Sequence, residues 1–181
     1  MTDASVRRVT PGDWRRIREL RLEALRDPMA HVAFLESVAQ AEARPDEEWR
    51  NRTAAHAEGD RSAQFLAETD NTLIGSVTVI VRAAGAPDYF DRVPDVDLPT
   101  VVGVYVSPVA RGRGVIDTLL AAAAEWAEQS GYQQLTLDVH ERNATAIRAY
   151  ERAGFEVQSE IVTESGRELG MVKQFVARGR G

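Results

Sequence analysis

The segment at residues 109–114, VARGRG, combines two arginines with two glycines and has the residue types of a phosphate-binding turn. It lies between an apolar stretch, TVVGVYV at 100–106, and a stretch at 115–129 whose apolar residues recur at helical spacing. Glycines allow a tight turn and expose backbone N–H groups, and a helix N-terminus adds unpaired N–H groups with partial positive charge. The pattern favours a bound phosphate, and a solvated turn between a strand and a helix has the same composition.

Two widespread phosphate-binding motifs are excluded at this segment. A Gly-Lys-Ser or Gly-Lys-Thr sequence is absent, so the turn is not a Walker A loop. GRGVID at 112–117 lacks the final glycine of the dinucleotide-binding fingerprint. The function of the turn must therefore be inferred together with the residues downstream of it.

A second group of chemically capable residues lies in NATAIRAYERAGF at 143–155. Asn143 and Tyr150 are seven residues apart, which places them on one face of a helix two turns apart. A phenol with an ordinary pKa of about 10 stays protonated at neutral pH and can act as a general acid. Taken alone, Asn143 also fits a helix N-cap, and Tyr150 also fits core packing.

The elements that must position these residues alternate between strands and helices. Hairpin signals at both ends of the chain predict antiparallel pairing, whereas strand–helix–strand order in the second half predicts parallel pairing. A mixed sheet flanked by helices follows, with residues 82–99 as its longest loop. The predicted strands are 5–9, 64–69, 72–81, 100–106, 135–139, 155–162 and 168–176, and the predicted helices are 11–27, 35–43, 46–56, 115–129 and 143–153.

Composition narrows the classes of function. The 181 residues carry a net charge of −6, which disfavours nucleic-acid binding and suits a cationic small molecule better. There is no cysteine and the three histidines are far apart, so we expect no metal site. No apolar run reaches the length of a membrane span, which predicts a cytoplasmic protein without a membrane partner.

Together the two segments, V-Y-V-S-P-x-x-R-G-R-G and L-x-V-x-x-x-N-x-x-A-x-x-x-Y-x-x-x-G-F, resemble the GNAT family of N-acetyltransferases over residues 100–155. The resemblance implies one α/β domain at 1–177, with a mixed, mostly antiparallel sheet splayed at its two central parallel strands. Residues 178–181, which end the second VARGRG copy, are then expected to be a disordered basic tail. It also implies transfer of an acetyl group from acetyl-CoA to a primary amine by direct attack.

The resemblance further implies a role for each motif residue. The main chain at 104–106 would pair with the pantetheine arm, residues 111–116 would hold the pyrophosphate, and Asn143 would bond the pantetheine or acetyl region. Tyr150 would be the catalytic residue that protonates the departing thiolate. The implied acetyl-CoA-binding residues are Val104, Tyr105, Val106, Arg111, Gly112, Arg113, Gly114, Val115, Ile116, Asn143 and Tyr150.

One residue departs from the family pattern. Ile116 stands where the family has glycine or alanine, and its branched side chain could crowd the phosphates although its N–H remains. This departure, with the absence of an evident general base, leaves an alternative: a non-catalytic acyl-CoA-binding or interaction domain on the same fold.

The acceptor side is less defined by the sequence. Asp95, Asp97, Glu68 and His140 are candidates for the general base, and none is assigned. The loop at 82–99, with four aspartates, is the best candidate for selecting the acceptor. The acceptor could be a small amine or antibiotic, an amino acid or a protein amine, and a homodimer is compatible with the family by analogy.

Overall fold

The structure, a computed structural model, describes residues 4–176, which form one seven-stranded sheet with helices on both faces. The expected tail at 178–181 lies outside these residues. The strands are β1 Ser5–Arg8, β2 Ser62–Thr69, β3 Thr72–Arg82, β4 Leu98–Val106, β5 Gln134–His140, β6 Glu156–Thr163 and β7 Gly166–Gln174. The helices are α1 Trp14–Leu25, α2 Ala30–Ala33, α3 Val38–Ala43, α4 Asp46–Glu58, α5 Val115–Gln129 and α6 Ala144–Arg152, with 3-10 turns at Pro11–Asp13 and Pro108–Ala110.

The sheet has the strand order β1-β2-β3-β4-β5-β7-β6. Among the described strands only the neighbours β4 and β5 are parallel, which confirms a mixed, mostly antiparallel sheet. The unit β5–α6–β6 does not give the parallel strand pair that its strand–helix–strand order predicts. The β6–β7 hairpin folds back so that β7, and not β6, pairs with β5.

The two faces of the sheet are covered by different helices. On one face, α5 buries Val115, Leu119, Ala123 and Ala127, spaced by four residues, against the apolar side chains of the sheet. On the other face, α1, α3 and α4 pack through residues such as Leu20 and Trp49. The helix predicted at 35–43 is shorter in the structure, where α3 begins at residue 38. The four-residue helix α2 precedes it.

The N-terminal strand is joined to α1 by the predicted capping box. Asp13 accepts hydrogen bonds from the backbone N–H and the hydroxyl of Thr10, at 2.8 Å each. The same carboxylate binds Arg7 at 2.8 and 2.9 Å. Hydrogen bonding from Arg7 outweighs the burial of Asp13 and holds the pKa of Asp13 far below its ordinary value.

The two central strands diverge soon after they meet. β4 and β5 pair at Thr100 with Thr136 and at Val101 with Leu137, and pair no further. Gly103 has φ +62° where the β3–β4 register shifts, which is a bulge that bends β4 away from β5. The splay expected at the parallel strands is therefore confirmed, and it opens the sheet beside residues 103–106.

Candidate active site

A cavity of about 1330 Å³ occupies the opening between β4 and β5 and continues under α1 and α4. Of the residues predicted for acetyl-CoA binding, all of which the structure describes, Arg113 alone does not line it. The lining residues from that set are Val104, Tyr105, Val106, Arg111, Gly112, Gly114, Val115, Ile116, Asn143 and Tyr150.

The turn before α5 has the backbone conformation of an anion-binding site. Gly112 has φ +74° and Gly114, the N-cap of α5, has φ +76°. A Cβ built on either glycine would meet no atom within 4 Å, so a ligand can approach the backbone at both positions. Together with the free N–H groups of the first turn of α5, this geometry fits a pyrophosphate.

Arg111 connects this turn to the end of α1. Its Nε donates to the carbonyl of Val106 at 3.0 Å, and its guanidinium binds Asp27, whose side chain is only 5% exposed. Burial opposes ionisation of Asp27, but hydrogen bonds from the Met29 N–H and from Arg111 outweigh it and lower the pKa of Asp27. The Val106 carbonyl is thus engaged, whereas the β5-facing backbone edge at Val104 has no strand partner among the described residues.

The Tyr105 side chain points toward α1, and the Arg111 guanidinium lies over its ring at 6.0 Å from the centroid. Its hydroxyl donates to Glu23 at 3.0 Å, and burial together with that carboxylate raises the pKa of Tyr105.

Asn143 and Tyr150 lie at the two ends of the cavity-facing side of α6. The carboxamide oxygen of Asn143 accepts from the N–H of Ala146 at 3.3 Å, so Asn143 is an N-cap. Tyr150 is 7% exposed and packs edge-on against Phe155 with ring centroids 6.1 Å apart. Its hydroxyl bonds to no other described residue, and burial raises the pKa of Tyr150. The phenol is thus protonated and has no competing partner.

Ile116 is accommodated by packing. Its side chain is half-buried against the core beneath α5, while part of it lines the cavity.

Most carboxylates considered as a general base lie away from the cavity. Glu68 is paired with Arg7 and Arg16, and Asp97 is paired with Arg61. Asp95 is exposed, and none of these three carboxylates lines the cavity.

His140 does line the cavity, but both of its ring nitrogens are occupied. Nδ1 accepts from the N–H of Arg142 at 3.1 Å, so Nε2 carries the proton and donates to the carbonyl of Ser165 at 3.0 Å.

Glu168 was not among the sequence candidates. It lies on β7 directly opposite His140 and lines the cavity. Its carboxylate has no hydrogen-bond or ion-pair partner among the described residues. Burial raises the pKa of Glu168; His140 acts against this shift and Asp138 adds to it. The feature of the sequence that could have pointed to Glu168 is its position as the one acidic residue at the start of the segment ELGMV, residues 168–172.

The loop at 83–97 is ordered around one buried carboxylate. Asp88 binds Arg82 and Arg92 and accepts from the N–H groups of Phe90 and Arg92. Arg92 also holds Asp138 on β5, at 2.9 and 2.6 Å. The charge of Asp88 is thus compensated within the protein, which leaves Asp91 and Asp95 as the exposed carboxylates of the loop.

Comparison with known proteins identifies the family. The sequence model described as the acetyltransferase (GNAT) family matches residues 14–155, which is most of the chain. The chain belongs to the GNAT family. This GNAT protein is therefore an acetyl-CoA-dependent N-acetyltransferase.

Two solved structures and one curated relative illustrate the similarity of this GNAT protein to others. It is 26% identical over 105 residues to aminoglycoside N(6')-acetyltransferase type 1 of Salmonella typhimurium, covering 58% of this chain and 70% of that one. A GNAT acetyltransferase from Streptococcus pneumoniae has a TM-score of 0.77 at 19% identity, covering 96% and 100% of the two chains. The PaiA N-acetyltransferase from Thermoplasma acidophilum, in complex with coenzyme A, has a TM-score of 0.73 at 19% identity, covering 96% and 99%.

No helix within 4–176 is long and apolar enough to cross a membrane. No group of three or more His, Cys, Asp or Glu side chains in that part of the chain could hold a metal ion.

Proposed function

We propose that residues 104–106, 111–116 and Asn143 hold acetyl-CoA, and that Tyr150 protonates the sulfur that leaves when an amine takes the acetyl group. The observation that supports this assignment is the convergence of three features on one cavity. These are the unpaired β4 edge, the glycine turn at the start of α5, and a tyrosine hydroxyl without a partner.

Each group suits a distinct part of the reaction. Acetyl-CoA supplies a thioester, and a neutral amine attacks its acyl carbon. The C–N bond forms as the C–S bond breaks, the sulfur takes the proton of Tyr150, and the nitrogen loses one proton to solvent, from which the phenol is reprotonated. The N–H groups at the start of α5 bind the phosphates, and the open backbone edge at Val104 offers hydrogen bonds to an amide-rich arm. Because burial keeps the Tyr150 phenol protonated, the residue holds its proton at Oη until the sulfur needs it.

The acceptor is an amine on the same side of the sheet as α1 and α4. The cavity extends there from the opening between β4 and β5, and a relative at 26% identity is named as an aminoglycoside acetyltransferase. A cationic acceptor is part of this proposal. A homodimer, a domain at 1–177 and a cytoplasmic location stay predictions.

The first test is calorimetric titration with acetyl-CoA of three proteins: the unaltered chain, Gly114→Ala and Gly131→Ala. Both glycines have positive φ, +76° and +85°, and an added Cβ would meet no atom within 4 Å at either. The backbone strain is therefore matched, but only Gly114 faces the cavity. We expect micromolar binding, corresponding to about −8 kcal/mol, that weakens about tenfold in Gly114→Ala alone.

Two outcomes would contradict the proposal. Equal affinity in the two glycine variants would remove the turn from the binding site. Binding of acetyl-CoA without thiol release for any amine would leave a non-catalytic acyl-CoA-binding domain.

A further inference from the structure

The floor of the cavity beneath α4 carries neutral polar side chains that have no partner. Gln64 on β2 and Thr78 on β3 are direct cross-strand neighbours, and Ser76 lies two residues along β3 on the same face. They are 9%, 8% and 8% exposed, and all three line the cavity. None of their side chains makes a hydrogen bond to another residue within 4–176.

The polar atoms of these three side chains are open to the cavity and are not fully enclosed, so each can bond to water or to a ligand without competition from a protein group. Other polar residues on this face are paired inside the protein: the Thr100 hydroxyl contacts that of Thr136 at 3.0 Å and accepts from Arg82 at 2.8 Å. The Nε1 of Trp49, on α4 and also lining the cavity, is a fully buried donor without a partner. This concentration of unpaired groups indicates a surface that hydrogen-bonds a ligand.

The floor adjoins the point where the sheet opens. The Thr78 hydroxyl lies 4.0 Å from the position that a Cβ on Gly103 would take, and Gly103 is the bulge that separates β4 from β5. On the other side of the opening, Glu168 lies one strand beyond β5, level with His140. Three strand spacings of about 4.8 Å separate β3 from β7, and the divergence of β4 from β5 adds to this, so the β3 backbone at the floor and the backbone at Glu168 are more than about 14 Å apart across the opening.

Most charges around the cavity already have partners. On the side of α1 and α4, Arg21 and Arg44 pair with Glu36, Arg52 with Glu48, and Arg82 and Arg92 with Asp88. Elsewhere, Asp27 pairs with Arg111, Asp138 with Arg92, and Asp117 with Arg152. Glu168 is the one carboxylate among the described lining residues without an ion-pair partner, so the cavity offers an ammonium group one unpaired carboxylate.

We propose that the acceptor is a monoamine carried on a neutral body rich in hydroxyl or amide groups. Its ammonium group faces Glu168, and its body hydrogen-bonds Gln64, Ser76 and Thr78.

A polycation would need several unpaired carboxylates. Arg142 and Arg148 line the cavity without an ion-pair partner among the described residues, but they lie after β5 and on α6 and not on this floor, so an acidic group on the body would find no cation at the floor. The inference rests on the proposed function, because it assumes that the amine reaches acetyl-CoA through the opening beside Gly103.

The proposal is tested by thiol release from acetyl-CoA with four amines of different chemistry. Glucosamine is a hydroxyl-rich monoamine, spermidine a polyamine, kanamycin a polycationic aminoglycoside, and glutamate an acidic amine. We expect kcat/KM for glucosamine to exceed that of each other amine at least tenfold. A higher kcat/KM for spermidine, kanamycin or glutamate would overturn the proposal and leave N-acetyl transfer itself intact. Binding of acetyl-CoA without turnover of glucosamine would also overturn the proposal. Failure to bind acetyl-CoA would instead count against the proposed function.

Conservative variants test the floor itself. Thr78→Val and Ser76→Ala remove one hydroxyl each with little change of shape, and the exposed Thr72→Val and Ser130→Ala are the matched controls. We expect KM for glucosamine to rise about fivefold to tenfold in each floor variant and not in the controls, with acetyl-CoA affinity unchanged in all four. An unchanged KM in both floor variants would overturn the assignment of the floor.

Glu168→Gln tests the ammonium site. It removes the charge and keeps the size of the side chain, so we expect KM for glucosamine to rise at least tenfold while acetyl-CoA affinity is retained. An unchanged KM would show that Glu168 does not face the amine.

Discussion

Replacement of Tyr150 by phenylalanine removes one oxygen atom and should separate chemistry from binding and folding. The hydroxyl makes no hydrogen bond within the described chain, and the ring keeps its edge-on packing against Phe155 at 6.1 Å. We therefore expect the free energy of unfolding to change by less than about 0.5 kcal/mol. Acetyl-CoA affinity should change less than about threefold, because the turn at 111–116 is untouched.

The effect on turnover is much larger if Tyr150 is the general acid. General acid catalysis contributes about 10²–10⁴-fold, so kcat should fall at least about a hundredfold, equivalent to about 2.7 kcal/mol in the activation barrier. Thiol release at saturating acetyl-CoA measures kcat, and calorimetry measures affinity. Tyr132→Phe is the matched control, since Tyr132 packs near Trp126 and does not line the cavity. Unchanged kcat in Tyr150→Phe would refute the assignment.

The pH profile gives an independent check on the same residue. An acid acts in its protonated form, so activity is lost as pH rises through its pKa. Because burial raises the pKa of Tyr150 above its ordinary value near 10, no loss of kcat from this group is expected below about pH 10. A decline between pH 8 and 9 that disappears in Tyr150→Phe would contradict this account of its surroundings.

Three further changes test other parts of the structure. Asp13→Asn should lower the free energy of unfolding by about 2–3 kcal/mol at pH 7, since Arg7 loses a buried partner. The pKa of Asp13 is depressed in the folded state, so its contribution is present above about pH 4 and is lost below it. In urea titrations the difference between variant and unaltered chain should therefore narrow at pH 3, and a constant difference would contradict the argument. Gly103→Ala places a Cβ at a backbone φ of +62°, so it should lower the free energy of unfolding by about 1–2 kcal/mol, measured by thermal melting. It should also weaken acetyl-CoA binding, measured by calorimetry. An unchanged melting temperature would argue against a strained bulge. Ile116→Ala removes a side chain from the cavity wall and keeps the backbone N–H, so calorimetry should show acetyl-CoA bound about threefold to tenfold more tightly, and weaker binding would mean that Ile116 contacts the cofactor.

Features that depend on neighbouring residues could be predicted from the sequence. The capping box at Thr10 and Asp13, the tight turn at Asp70-Asn71 and the helix Val115–Gln129 were all predicted and confirmed. Each follows from backbone preferences or apolar spacing within a few residues. The insertion of β7 between β5 and β6 could not be read in this way, because a hairpin can add to a sheet by either of its strands.

The local sequence was thus sufficient for the turn before α5, the face shared by Asn143 and Tyr150, and membership of the GNAT family, since these depend on short-range spacing. Which carboxylates remain unpaired beside the cavity depended on the folded chain. Asp88 lies in the acceptor-side loop, yet Arg82 and Arg92 compensate its charge, and Arg92 also holds Asp138, 46 residues away. Glu168 faces the cavity without such a partner because β7 pairs with β5. Charge compensation joins side chains that are distant in the sequence, so only the tertiary arrangement decides which charges remain available to a ligand.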